Sequence, residues 1–396
     1  MTDLFWPGDH LAGTLMSDAA FLAAMITVEQ AWLDELVDAG IAPTAARAVL
    51  PTDVGSDDVA QKADSDGNPA SALVALLRER TSEPTSRWLH RGLTSQDVVD
   101  TAVMLCLRDV LSRLAEEVAT QVDVLAVLTE THRGTPMLAR TLTQAALPST
   151  VGAKVAVWLN GLLDAADPLG TAVLPVQLGG AVGTLAAVVE LTGSVDGALD
   201  LTDRTARRLG LTAASPWHTT RAPLTRIGDV LAGLCDAWGH LAADVTTGSR
   251  TEIGEFAERH GGGSSTMPHK DNPVRAILIR RAALTAGPLA GTLHTAAAAS
   301  VDERSDGGWH AEWATIRTLA RRTVVAAAHT TDLVTGLRVD ADRAAASLAA
   351  AGDLGGEQRT MAKLVDRQPK QTYLGVTDRL VDATLDRAAH YRKDAP

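Results

Sequence analysis

Aromatic side chains are scarce in this chain, at 3% of 396 residues. Core volume must therefore come from Ala, Leu and Val, which suits closely packed helices. There are only two cysteines, Cys106 and Cys235, both in apolar helical runs. Two isolated thiols make neither a disulfide framework nor a Cys-based zinc site and read as reduced core residues. No uncharged apolar run of about 18 residues occurs, so no membrane span is expected. The start, MTDLFWPGDH, has no basic region followed by an apolar run, which predicts no secretory leader and a cytoplasmic protein. Positive charge is outweighed: the formal net charge is −12. That argues against nucleic acid and anionic membranes as partners, but not against a small anionic substrate met by a local cationic cluster. No His/Cys/Asp cluster has metal spacing, and no phosphate-binding glycine loop joins a strand to a helix, so neither metal nor nucleotide cofactor is expected.

What is present is helical periodicity. Ser17-Asp18 caps a helix whose apolar positions run from Phe21 to Leu36 and which closes at Gly40. A short helix is predicted over Thr44–Val49, mostly loop over 51–70, and a helix over Ser71–Glu79. From Asp97, apolar residues recur every three or four positions from Val103 to Leu125, which predicts a helix of roughly 30 residues. Further helices are predicted over Thr150–Ala166, from Leu224 to Val245, over Ala276–Ser300 with a kink or break near Gly287-Pro288, and over Ala311–Gly336. Two or three short helices follow to the end. Convincing period-2 strands are almost absent. The pattern is all-α: an elongated bundle of long helices, divided as 1–96, 97–336 and a small region 337–396. Broad apolar faces on such long helices predict a bundle shared between subunits.

Polar stretches interrupt this pattern. Residues 254–274, GEFAERHGGGSSTMPHKDNPV, follow no hydrophobic period. Gly261–Gly263 allow mobility, Ser264 and Ser265 supply hydroxyls, and Lys270 and Asn272 supply donors to an anion. In the stretch 88–97, Thr94 and Ser95 are N-cap types ahead of the long helix, whose N-terminus suits a carboxylate. Capping alone would not call for His90, Arg91 and Gln96 alongside. In 139–148, Thr141 and Gln144 either bind substrate or cap their neighbours. His218, in 216–221, is either functional or packed. The charged run 302–310 is either a solvated loop or part of a site.

G-S-S-x-M-P-x-K-x-N-P, unbroken from Gly263 to Pro273, resembles the signature loop of the fumarase/aspartase superfamily. TSQDVVDTA (94–102) and ARTLTQAALPSTVG (139–152) resemble its other two blocks. PVQLGGAVGTLAA (175–187), PWHTTR (216–221), ERSDGGWHAEW (303–313) and YLGVTDRLVD (373–382) look like the bacterial 3-carboxy-cis,cis-muconate cycloisomerase branch, so the resemblance spans nearly the whole chain. It implies three helical domains, a homotetramer with a twenty-helix core, and active sites built from several subunits. It also implies addition or elimination at a carbon next to a carboxylate, on a small di- or tricarboxylate. By the same resemblance Ser264 handles the carbon-bound proton. Lys270 and Asn272 hold the carboxylate and the enolate-like intermediate, and Thr94, Ser95, Gln96 and Thr141 bind carboxylate oxygens. His90, Arg91, Gln144, Arg221, Ser265, Met267 and Arg304 are further candidate binders. The intact Ser264, Lys270 and Asn272 argue against a catalytically silent scaffold.

Three departures stand out. Most fumarases and adenylosuccinate lyases have a histidine where this chain has Leu142. A lyase that expels hydroxide or an amine benefits from an acid there, whereas a carboxylate that attacks its own double bond, or a nitrite that leaves, needs none. Asp271 puts an acid next to Lys270, which is expected to weaken local anion binding. The region between Gly356 and Tyr373 is shorter than in the family.

Overall fold

The computed structural model describes residues 3–394 except His260, Ser264, Ser265 and Pro268. Among the described residues there are 14 α-helices and three two-stranded antiparallel pairs. The fold is all-α and is dominated by four long helices, as the periodicity predicted. No helix among these residues is long and apolar enough to cross a membrane.

The helices are α1 (Asp18–Asp38), α2 (Ser56–Asp66), α3 (Pro69–Arg80), α4 (Thr85–Trp88), α5 (Ser95–Thr131), α6 (Val151–Gly170), α7 (Ala186–Thr192), α8 (Val195–Leu209), α9 (Ala222–Gly248), α10 (Val274–Ala298), α11 (Gly308–Thr335), α12 (Ala341–Ala350), α13 (Gly356–Leu364) and α14 (Thr377–Asp394). The strands are β1 (Pro136–Thr141), β2 (Gln144–Thr150), β3 (Phe256–Ala257), β4 (Gly262–Gly263), β5 (Asp271–Asn272) and β6 (Arg338–Val339), paired β1 with β2, β3 with β6 and β4 with β5.

The caps explain several starts. The Ser17 hydroxyl accepts from Ala20 N, and the Thr150 hydroxyl from Ala153 N. Asn68 accepts from Ala70 N and Ser71 N with Pro69 in the first turn, so α3 begins two residues before the predicted Ser71. Four expectations need correction. The predicted helix Thr44–Val49 is only a 3-10 turn, Thr44–Ala46. The predicted loop 51–70 contains α2, which buries only Val59 and so shows no apolar stripe. α10 runs unbroken through Pro288; the carbonyl freed four residues earlier is that of Leu284, a residue 76% exposed, where water can satisfy it. The β1–β2 hairpin was not foreseen, because PMLART and QAALPST lack β-branched alternation.

The chain packs as two compact units, each assembled from three segments: Met1–Ser112, Ala172–Asp229 and Pro288–Arg322 in the first, Arg113–Thr171, Val230–Gly287 and Thr323–Pro396 in the second. In the first unit, α1 lies on α8, where Arg208 reaches Glu35 at 2.6 Å and Asp38 at 2.6 Å. In the second, buried Gln121 of α5 ties the helices together. Its Nε2 donates to Ala327 O of α11 at 3.0 Å and its Oε1 accepts from Trp238 Nε1 of α9 at 2.7 Å. Every polar atom of that side chain is thus used inside the core. Burial pushes the thiols of Cys106 and Cys235 up to about 12, so both stay protonated and inert.

The hairpin is seated by a close approach. A Cβ on Gly152 would lie 2.6 Å from both Arg133 Cα and Thr129 O, which are backbone atoms and cannot swing aside. Gly152→Ala should therefore destabilise the protein by about 1–3 kcal/mol, read as a lower urea midpoint; an unchanged midpoint would contradict this packing.

Candidate active site

The first unit carries one cluster of the predicted residues, around the N-terminus of α5. Asp97 is wholly buried and is the hub. Its carboxylate accepts from Thr94 N (3.0 Å), Gly179 N (2.9 Å), Gly180 N (3.0 Å) and Gln177 Nε2 (3.2 Å), and it lies 3.2 Å from His218 Nε2. The Thr94 bond is the return half of a capping box. The turn 179–180 must approach closely: a Cβ on Gly179 would sit 2.6 Å from His218 Cε1. His218 is thus a packed residue that helps to place the glycine turn.

One turn on, Asp100 accepts from Arg221 Nη1 (2.7 Å), Trp309 Nε1 (2.9 Å) and Gln96 Nε2 (3.1 Å). Arg221 is 3% exposed and also reaches Glu312 at 2.7 Å. Burial works against its charge, but Asp100 and Glu312 outweigh this and hold the guanidinium above its ordinary value. Burial also raises Glu312 above the usual carboxylate range, with Arg221 opposing. All five N–H donors of Arg221 are engaged by Asp100, Glu312 and the carbonyls of Trp217 and His218. None is left to meet a substrate in this conformation.

Gln96 is wholly buried. Its amide nitrogen donates to Asp100 and to His218 O at 2.9 Å, while its Oε1 is buried without a partner. Both neighbours of the nitrogen are acceptors, which fixes the amide orientation. The unused atom of Gln96 is thus an acceptor, unsuited to a carboxylate. Thr94 and Ser95 remain at the helix mouth. Arg304, from the charged run, donates to the Thr94 hydroxyl and to Ala181 O at 3.3 Å, and the Ser95 hydroxyl lies 3.2 Å from that of Ser71. A cation, two hydroxyls and a helix N-terminus therefore converge where an anion would be stabilised. His90 lies on the approach to α5, and Glu29 Oε1 is 2.6 Å from its Nδ1. Arg91 is exposed and donates to Arg87 O at 2.6 Å. A cavity of about 530 Å³ in this unit, lined by Trp6, Phe21, Trp313 and Arg317, contains none of the predicted residues.

The second unit carries the rest. Thr141 and Gln144 pair at the tip of the β1–β2 hairpin, and both are exposed. Between them Leu142 (φ +47°) and Thr143 (φ +71°) form a two-residue turn with both residues left-handed, a place that favours Asn-Gly. Leu142 is 96% exposed. Arg140 anchors the hairpin by a bidentate pair with buried Glu255, at 2.7 and 3.0 Å.

The signature stretch is also a hairpin, with Gly262 opposite Asn272 and Gly263 opposite Asp271. Asn272 Nδ2 donates to Gly262 O at 2.8 Å, and Lys270 N donates to Met267 O at 3.0 Å. Lys270 is exposed and Met267 is 41% exposed. Ser264 and Ser265 lie outside the described residues. Strand alternation puts Asp271 and Asn272 on opposite faces of β5. Asp271 is packed so closely over Gly261 that an added Cβ there would lie 1.6 Å from its Oδ1. The Asp271 carboxylate is therefore engaged in the fit of the hairpin at Gly261. The base of the stretch is closed by Glu258, whose carboxylate accepts from Arg275 N (3.0 Å) and Ala276 N (2.8 Å) at the start of α10. Burial raises Glu258 above the usual carboxylate range, opposed by those two N–H groups.

The residues that sequence reasoning missed are carboxylates: Glu29, Asp97, Asp100, Glu255, Glu258 and Glu312. Asp97 and Asp100 had a visible signal, since acids at i and i+3 on the apolar face of a long helix need buried partners. No group of three or more His, Cys, Asp or Glu among the described residues is placed to hold a metal ion.

A family model described as lyase matches residues 57–286. Nitrosuccinate lyase of Streptomyces davaonensis is 38% identical over 96% of this chain and 81% of its own length. The 3-carboxy-cis,cis-muconate cycloisomerase of Bradyrhizobium diazoefficiens is 35% identical over 95% of this chain and 84% of its own. Among solved structures, the 3-carboxy-cis,cis-muconate lactonizing enzyme of Pseudomonas putida superposes with a TM-score of 0.85 at 28% identity, covering 96% of this chain and 97% of the other.

Two outcomes check the geometry. Arg221→Met strands two buried carboxylates and should cost about 3–5 kcal/mol of stability, measured by denaturant unfolding; a stability change below 1 kcal/mol with a large rise in KM would instead make Arg221 a substrate ligand. Gly261→Ala should displace the hairpin and lower kcat/KM on the order of 10²-fold, and Asp271→Ala in the same chain should restore most of it; failure of the second change to rescue would refute the Asp271–Gly261 fit.

Proposed function

Because the chain belongs to the fumarase/aspartase superfamily of lyases, we propose that it is a cycloisomerase turning 3-carboxy-cis,cis-muconate into its carboxymuconolactone. A carboxylate oxygen of the substrate bonds to a carbon of its own double bond. The electron pair moves to the carbon next to a second carboxylate, and that carbon takes up one proton. Three carboxylates become two and a lactone, with nothing lost. Ser264 delivers the proton, Lys270 and Asn272 face the enolate-like intermediate, and Thr94, Ser95 and Arg304 hold a carboxylate at the mouth of α5. Thr141 and Gln144 bind carboxylate oxygens from the hairpin tip.

Leu142 carries this choice. It stands at the turn where histidine-bearing lyases have their acid, and it offers no proton at all. Ring closure by a carboxylate needs no protonated leaving group, so the loss does no harm. The same observation favours a second reading, elimination of nitrite from nitrosuccinate to give fumarate, which the 38% identity to a nitrosuccinate lyase also supports.

The reading extends to assembly. Val127, Val157, Ile277 and Leu284 are 48–76% exposed on long helices of a single chain. Apolar groups on such faces favour a homotetramer with active sites shared between subunits, organised as 1–96, 97–336 and 337–396, and working in the cytoplasm without metal or cofactor.

With 3-carboxy-cis,cis-muconate the diene absorbance should decay. Persistence of that absorbance, together with nitrite released from nitrosuccinate, would replace the first reading by the second. In either case Ser264→Ala should lower kcat by about 10²–10⁴-fold; unimpaired turnover by that variant would remove Ser264 from the mechanism.

A further inference from the structure

The segment before α5 is held in an unfavourable shape by three side chains. His90 has φ +63°, a left-handed conformation that is costly for a side-chain-bearing residue. On either side of it, Arg78 Nη2 donates to Leu89 O at 2.7 Å and Trp32 Nε1 donates to Arg91 O at 2.7 Å. The third contact is to the ring itself, from Glu29 Oε1 to Nδ1 at 2.6 Å.

Glu29 is 0% exposed, and its Oε2 is buried with no hydrogen-bond partner. A carboxylate so placed is expensive unless its charge is used. The ring of His90 is its one hydrogen-bond partner among the described residues. The other charges around the pair are Arg78 on α3 and Arg91 in the same segment. Arg78 does not neutralise Glu29 directly: its guanidinium is lowered by burial and by Arg91, with Glu29 only opposing, and its hydrogen bond goes to Leu89 O. The side chain of His90 is 18% exposed, and its Nε2 makes no hydrogen bond among the described residues. The imidazole is therefore gripped at one nitrogen and presents the other.

We propose that Glu29 is a positioning residue for the reaction, holding a proton on His90 Nδ1 so that Nε2 is the atom offered to substrate. The inference rests on the reading of His90 as a substrate-binding residue. It has a consequence for charge. While Glu29 keeps Nδ1–H, the neutral ring turns a lone pair at Nε2 towards the substrate, and a carboxylate is repelled. Only the imidazolium carries Nε2–H as a donor. A carboxylate at His90 is thus met by a donor only when the ring carries both protons, and Glu29 is the residue that imposes this requirement.

Glu29→Gln keeps the shape but can donate its amide N–H to Nδ1, which places the proton of the neutral ring on Nε2. In that variant the neutral ring itself offers a donor to the carboxylate, so KM should change while kcat is retained. Nitrogen-15 NMR of histidine-labelled protein reads the same switch without turnover: the neutral ring of His90 should be the Nδ1–H form in the parent and the Nε2–H form in Glu29→Gln. An Nε2–H ring in the parent, or an unchanged KM in the variant, would overturn the proposal. The parent spectrum decides even if Glu29→Gln fails to fold, or if neither substrate is turned over. His90→Gln separates the two levels: an unchanged KM there means that His90 does not bind substrate, whereas a raised KM with an unaltered KM in Glu29→Gln means that only the role of Glu29 is wrong.

Discussion

A single buried cation organises the first unit. Arg221 immediately precedes α9, and its guanidinium joins Asp100 on α5 to Glu312 on α11 while also taking the carbonyls of its own turn. The desolvation cost of these charges is large and is recovered only because every donor has an acceptor in good geometry. That requirement makes the cluster a register device. If α5 slid by one turn, Asp100 would lose Arg221 and Trp309 together. The same lock therefore fixes Asp97, three residues earlier, and through it the Gly179-Gly180 turn and the mouth of α5.

This separates two roles that the sequence did not distinguish. Gln96 and Arg221 read as substrate ligands through the family resemblance. Their donors are spent inside the protein. Thr94, Ser95 and Arg304 keep theirs at the surface, and Arg304 is the cation that reaches the helix mouth. Periodicity made the long helices legible, and cap residues such as Ser17 and Thr94 made starts legible. Burial partners over long sequence separations leave no local trace. Glu29 reaches His90 61 residues on, and Asp100 reaches Arg221 121 residues on, so neither pair could be read from spacing.

The short hairpins were missed for a different reason. β1–β2 turns through Leu142-Thr143 with positive φ at both residues, and this costs strain that tertiary contacts must offset. The Arg140–Glu255 pair and the Gly152 contact provide that hold at the base of the hairpin. The family loop was legible as a motif, yet its glycines have a role beyond mobility. Gly261 is small because Asp271 lies against it, and a Cβ on Gly262 would come within 2.2 Å of Val274 Cγ2. The loop is therefore a fitted hairpin whose acid is part of the fit.

Two helix N-termini accompany the candidate residues, and they are not equivalent. At α10, adjacent to Asn272, the free N–H groups of Arg275 and Ala276 are already occupied by Glu258. A substrate carboxylate there would have to displace a buried, covalently tethered carboxylate, so the positive end of α10 is spent on closing the loop base. At α5 the internal acid Asp97 takes the N–H of Thr94, one residue before the helix, and turns its remaining acceptors inward to Gly179, Gly180 and Gln177. The hydroxyls of Thr94 and Ser95 stay at the mouth of α5, with Arg304 adding a full charge. The field available to an anion is thus that of α5 and not that of α10.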